Sequence, residues 1–192
     1  LRVPQDAIFQ AAPGDFIYLR GGAEFTKENA FVKPIHGTFI AWIMPGDDVA
    51  SGEAGAPITL KSYPGEQAVI RGELVLGGHL GLKVGRSHWR IEGLRIYHGV
   101  IQVGDTGIPP DVEGVRIAGN HISDVIAAWG NFGLIQITGQ HTQGGPVDDA
   151  LDPADIQVID NVVHTLWGEQ EDGSVVPWDL DADVEHHACF AG

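Results

Sequence analysis

Beyond Arg116 the sequence has no lysine and no arginine. The 192 residues carry eleven Lys and Arg against 26 Asp and Glu, a formal net charge of −15, and every cation lies at or before Arg116. Up to that residue eleven cations face thirteen acids, a net of −2; after it thirteen acids stand without a cation, a net of −13. Such an end repels polyanions and argues against nonspecific nucleic-acid binding. It attracts cations, basic proteins or, through a bridging metal, an acidic sugar; a solvated acidic face is the plain alternative. There is one cysteine, Cys189, so an internal disulfide framework is excluded. No apolar run approaches the ~20 residues that cross a bilayer, so no membrane partner is expected. A phosphate-binding loop, a dinucleotide fingerprint and a Ser-His-Asp signature are all missing.

Glycine and hydrophobic residues are plentiful. With 27 Gly, 11 Pro and 43% hydrophobic residues, the composition fits a folded, turn-rich β protein. A short pattern returns three times: Arg90-Ile91-Glu92-Gly93-Leu94-Arg95-Ile96, Arg116-Ile117-Ala118-Gly119-Asn120-His121-Ile122 and Val158-Ile159-Asp160-Asn161-Val162-Val163. A second interleaves with it, Gly99-Val100-Ile101-Gln102-Val103 and Gly133-Leu134-Ile135-Gln136-Ile137. Two short-strand patterns in a fixed order predict a parallel β-solenoid, an all-β single domain of about six coils. The offset from Ile91 to Ile117 is 26 residues and from Gln102 to Gln136 is 34, which places an insertion at 123–131; the longer step of 41 from Ile117 to Val158 places another at 138–154. Strand alternation puts Ile91, Ile96, Ile117, Ile122, Val158 and Val163 inward. Leu94, Asn120 and Asn161 share one turn position, where an inward Asn bonds the backbone of successive coils. Three outward columns follow: Arg90–Arg116–Gln157, Arg95–His121–Val162 and Tyr97–Ser123–His164.

Before these coils, Gln5 to Ala12 predicts one or two helical turns over the open end, Pro13-Gly14-Asp15 a turn, and Phe16 to Leu19 a strand. Residues 24–56 read as a long excursion with a strand at 38–43. Coiling resumes at Pro57-Ile58-Thr59-Leu60, with Pro64-Gly65-Glu66 and Val69-Ile70 following. At the far end, Ser174 to Trp178 begins a strand expected to stack on Ile135–Ile137, and 179–192 is an acidic tail. A solenoid end left open exposes strand edges, so the expectation is that the chain is a fragment, or that its end is covered by a second copy or by its own loop.

The Val3-Pro4, Gln10-Ala11-Ala12, Pro13-Gly14-Asp15, Ile17-Tyr18-Leu19 and Gly21-Gly22 run resembles the opening of the right-handed parallel β-helix superfamily of pectate lyases. Residues 13–22 and 57–100 are most similar to the chondroitinase B and alginate lyase family. The shared motifs are turns and strands, so the resemblance implies a right-handed β-helix with a short cap helix, extracellular carbohydrate as partner, and a secreted or periplasmic location. It also implies lyase chemistry, in which a base removes the proton beside a uronate carboxylate that Ca²⁺, Arg or Lys neutralises. The family's catalytic cations come from later coils. Here those coils have none, so no catalytic residue carries over.

Candidate sites therefore come from the residues themselves. Arg90 and Arg116, with His121 beside them in the next column, form the nearest basic feature for an anion or a reaction. Two stacked arginines repel unless acids such as Glu92 intervene. Asp148 and Asp149 in the 138–154 insertion are the best carboxylate pair for hydrolysis, which needs carboxylates ~5–9.5 Å apart; turn chemistry explains them equally. Tyr97, His164, Trp129 and Trp167 are candidates for contact with sugar, the tryptophans by stacking. Asp179, Asp181, Asp183 and Glu185 alternate so that an extended strand puts all four carboxylates on one face, a fit for Ca²⁺. His186, His187 and Cys189 offer softer ligands, although adjacent strand histidines face opposite ways. The reading that follows is a carbohydrate-recognising β-helix, with lyase-like degradation left open as a further activity. Its rival is a non-catalytic solenoid module, or the first piece of a larger lyase.

Overall fold

The computed structural model describes residues 4–22, 24–26, 28, 39–45, 48–72, 81–104, 112–127, 134–138, 154–169 and 175–177. A short helix, α1 (Pro4–Gln10), precedes a first turn of chain made of β1 (Phe16–Leu19), β2 (Glu24–Phe25) and β3 (Ala41–Ile43). The second turn is β4 (Ile58–Ser62), β5 (Val69–Arg71) and β6 (Leu82–Val84). The third is β7 (Trp89–Glu92), β8 (Arg95–Tyr97) and β9 (Ile101–Val103), and the fourth β10 (Arg116–Ala118), β11 (His121–Ala127) and β12 (Ile135–Ile137). The last contains β13 (Gln157–Ile159), β14 (Val162–Glu169) and β15 (Val175–Pro177).

Each of the first four turns of chain gives one strand to each of three sheets; the last gives β13 to the first sheet and both β14 and β15 to the second. The first sheet runs β1-β4-β7-β10-β13, the second β2-β5-β8-β11-β14 with β15 beyond, and the third β3-β6-β9-β12. Every pairing is parallel except β14 with β15. This is an all-β architecture of stacked parallel sheets, consistent with a parallel solenoid. The spacing of the sequence repeat fixes its register: Ile91 lies beside Ile117 and Ile117 beside Val158, while Ile96 lies beside Ile122 and Ile122 beside Val163.

The core follows from the alternation. Leu60, Ile91 and Ile117 form one buried column, and Ile70, Ile96 and Ile122 another. Burying each such side chain is worth ~1.5–3 kcal/mol. Val158 and Val163 continue these columns but are 43% and 42% exposed, because they lie in the last coil. Between the columns runs an asparagine ladder. Leu94 N donates to Asn120 Oδ1 at 3.0 Å and Asn120 Nδ2 to Ile91 O at 2.9 Å. One coil on, Asn120 N donates to Asn161 Oδ1 at 3.0 Å and Asn161 Nδ2 to Ile117 O at 2.9 Å. At the opposite end α1 buries Ile8 against the core. Gln5 there imitates a further strand: its Nε2 donates to Trp42 O and its Oε1 accepts from Trp42 N, both at 2.8 Å.

Two local expectations change. The strand expected at 38–43 is confined, among the described residues, to Ala41–Ile43. Beyond Ser123, the last residue of β11 opposite β8, β11 runs on and pairs with β14 alone as far as Ala127 opposite Gly168. The strand expected to stack on Ile135–Ile137 turns back on β14, with Trp167 opposite Pro177 and Glu169 opposite Val175. The reason is local: β14 ends the parallel stack, so its outer edge offers unpaired backbone groups to the returning chain.

Candidate functional site

The outer face of the second sheet collects more chemistry than any other described surface. Alternation turns Ile70, Ile96 and Ile122 inward, so Arg71, Arg95, Tyr97 and His121 face outward from strands only three to seven residues long. Parallel register then aligns Arg71, Tyr97, Ser123 and His164 in one column and Val69, Arg95, His121 and Val162 in the next. Neighbouring strands lie ~4.8 Å apart, so long side chains reach along and across the columns.

Tyr97 is held between two guanidinium groups. Arg71 Cζ lies 4.9 Å and Arg95 Cζ 4.7 Å from its ring centroid, within cation–π range. Arg71 is also gripped by Glu24, donating from Nε to Oε2 at 2.6 Å and from Nη2 to Oε1 at 2.7 Å. These bonds hold the Glu24 carboxyl below the usual carboxylate range. Arg95 differs, for its buried Nε makes no hydrogen bond among the described residues.

One strand further, His121 and His164 meet. Their Nε2 atoms are 2.6 Å apart and their ring centroids 4.7 Å apart, so one nitrogen donates and the other accepts. His121 sits below the ordinary histidine value, first through burial, then through the charges of Arg95 and His164; Asp124 opposes them. It is therefore a neutral base at neutral pH. Asp124 adopts a left-handed backbone (φ 58°) and its Oδ2 accepts from Ser123 Oγ at 2.8 Å. His98, at the end of β8, is also pushed down, by burial and then by Arg71, with Asp124 and a Gly72 backbone hydrogen bond opposing. The arrangement can hold a carboxylate or sulfate at Arg95, offer an aromatic edge at Tyr97, and accept or pass a proton at the histidine pair.

The candidate residues divide between two faces. Tyr97, His121 and His164 come together on the second sheet. Arg90 and Arg116 lie in register on the outer face of the first. There Glu92 intervenes, 3.5 Å from Lys61 Nζ and 3.9 Å from Arg116 Nε. Trp167 lies in β14 opposite Ile126. Trp129, Asp148, Asp149, Asp179, Asp181, Asp183, Glu185, His186, His187 and Cys189 lie outside the described residues. Among the described residues no three His, Cys, Asp or Glu side chains are grouped to hold a metal. Arg71, Glu24, His98 and Asp124 escaped sequence reasoning. Arg71 was findable, because Val69-Ile70-Arg71 repeats the alternation of Arg95-Ile96-Tyr97 one coil earlier. Glu24 was not, since a two-residue strand has no readable period.

Comparison with protein-family models, with curated proteins and with solved structures finds no match to this chain.

Proposed function

We propose that the protein is a right-handed parallel β-helix of the pectate-lyase-like kind, and that the second sheet's outer face recognises an acidic polysaccharide. The observation that carries this reading is Arg95: it stacks on Tyr97, makes no hydrogen bond at Nε among the described residues, and adjoins the His121–His164 pair. A uronate carboxylate paired with Arg95 would have its charge offset, which acidifies the neighbouring C–H. The sugar would displace the His164 N–H from His121 Nε2. The freed lone pair would take the C5 proton while the C–H electron pair becomes the C4–C5 double bond and the C4–O bond breaks. The departing oxygen takes a proton from the other histidine or from water.

The test measures binding and turnover together. Polygalacturonate and alginate should bind and yield an unsaturated product absorbing near 235 nm. Arg95→Gln should weaken binding at least tenfold, and His121→Gln should abolish product while leaving binding within about threefold. Binding without product would leave a recognition module; the whole reading fails if neither polymer binds, or if Arg95→Gln binds as tightly as the parent.

A further inference from the structure

The outer face of the first sheet carries a second, separate group of residues that the proposed function does not use. Phe16 and Tyr18 alternate outward along β1 and are 57% and 43% exposed. Their rings are near-parallel, 14° apart in plane with centroids separated by 6.1 Å, so they share one orientation along the strand. Tyr63, 44% exposed, meets Tyr18 edge-on at 5.7 Å and closes one side. All three rings stay about half exposed, with Arg20 Cζ 4.7 Å from the Tyr63 centroid and Lys61 Nζ 6.0 Å from that of Phe16.

What lies beside them indicates the occupant. Across the strands, Phe16 lies in register with Thr59, Thr59 with Arg90, and Arg90 with Arg116. Tyr18 is followed by Lys61 and then Glu92. Arg90 is thus two strand spacings from Phe16, roughly 10 Å, and Arg116 is one further. Counting Arg20 and Glu66 beside Tyr63, the strip holds four cations (Arg20, Lys61, Arg90, Arg116) against two acids (Glu66, Glu92). It is a net positive face on a protein whose net charge is −15, although Glu92 already pairs with Lys61 and Arg116. Arg116 Nε lies 3.9 Å from Glu92 Oε1 and makes no hydrogen bond among the described residues. An aromatic platform leading into a cationic column fits a chain with apolar ring faces and periodic negative charge, namely an acidic polysaccharide lying across the strands.

We propose that this face is a second glycan-binding strip, in which Phe16 and Tyr18 take the ring face of one sugar unit while Lys61, Arg90 and Arg116 meet acid groups on the units that follow. It would hold the polymer beside the second-sheet site, and it rests on the same substrate class as the proposed function.

Binding of polygalacturonate, followed by affinity electrophoresis, separates the two. The Phe16→Ala/Tyr18→Ala double variant should bind at least fivefold more weakly, Arg90→Gln about threefold more weakly, and a neutral glucan should bind more weakly than the acidic polymer. Because these side chains are exposed, the thermal midpoints should match the parent, which guards against misfolding as the cause. Parent-like binding by the double variant overturns the strip, as does equal affinity for the neutral glucan. A dimer that the double variant converts to monomer without altered glycan binding would make the face an interface between copies, and also overturns it. If Arg95→Gln binds normally while the double variant does not, the strip stands and the second-sheet site falls; the reverse result does the opposite.

Discussion

Asn120 sits where three coils exchange backbone hydrogen bonds. Its side chain satisfies Leu94 N and Ile91 O in one coil, and it meets Asn161 Oδ1 from the next at 3.0 Å. Asn120→Ala would orphan both buried backbone groups, each at the cost of an unmade hydrogen bond, so a loss of about 2–4 kcal/mol is expected in urea unfolding. Asn161→Ala should cost less, since that residue is only half-buried. The histidines give a second test at this scale. His98 and His121 both have folded values below the unfolded value of about 6.5, so the unfolded chain takes up protons first as the pH falls. Their effect on stability is therefore absent above about pH 7 and becomes a loss as the pH drops through about 6.5, levelling off once the folded values are passed. The groups facing them are Arg71, Arg95, His164 and Asp124. Glu24 and Glu66 act lower: their folded values are depressed by Arg20 and Arg71, so their contribution is lost only as the pH falls below about 4.5. A midpoint-versus-pH series should thus show two separate declines. His98→Gln/His121→Gln should flatten the upper one alone; an unchanged upper decline would assign it to other groups.

Among the elements, the turn into β6 is the least tolerant of change. A Cβ on Gly81 would collide with the carbonyl oxygen of Val100 and lie 2.6 Å from its nitrogen, where Val100 O already accepts from Leu82 N at 2.9 Å. Backbone cannot swing aside as a side chain can. Gly81→Ala should cost about 1–3 kcal/mol, while Gly85→Ala, whose nearest obstacle is the flexible end of Met44, should cost less. Equal midpoints for the two in thermal unfolding would show that the β6 turn yields as readily as a methionine. The elements also show what the sequence could reveal. The β7, β8, β10, β11 and β13 strands were legible because each carries an inward Ile or Val at a repeated offset, and the asparagine ladder was legible because Asn120 and Asn161 share a register. The direction of β15 was not, since alternation tells which way side chains point and says nothing of which edge a strand joins. The Gln5 cap was equally hidden, because a glutamine that imitates a strand has no periodic signature. At the candidate site the columns predicted that Tyr97, His121 and His164 face one way. The contact between the two histidines depends on rotamers across two strands, and the pairing of Arg71 with Glu24 on a strand too short to show a pattern.

At the scale of the whole molecule, the first and last described coils differ in how far they are covered by described residues. At the first coil α1 covers the core through Ile8 and pairs β3 through Gln5. At the last, Val158 and Val163 keep their inward register yet stand 43% and 42% exposed, and Val162 is 55% exposed. In a stack stabilised by contacts between neighbours, a less covered coil opens at lower free energy than a fully buried one. Charge adds to this, since the thirteen acids beyond Arg116 meet no cation in the same stretch and repel one another. Amide hydrogen exchange should therefore be slowest in β4, β7 and β10 and distinctly faster in β13 and β14. Raising the ionic strength from about 0.01 M to 0.15 M shortens the screening length from ~30 Å to ~8 Å. Repulsion among the acids should weaken with it, so salt should slow exchange in the last coil more than in the inner ones. Equal protection throughout would mean that the last coil is covered as fully as the first. Unequal protection that ignores salt would assign the gradient to packing alone.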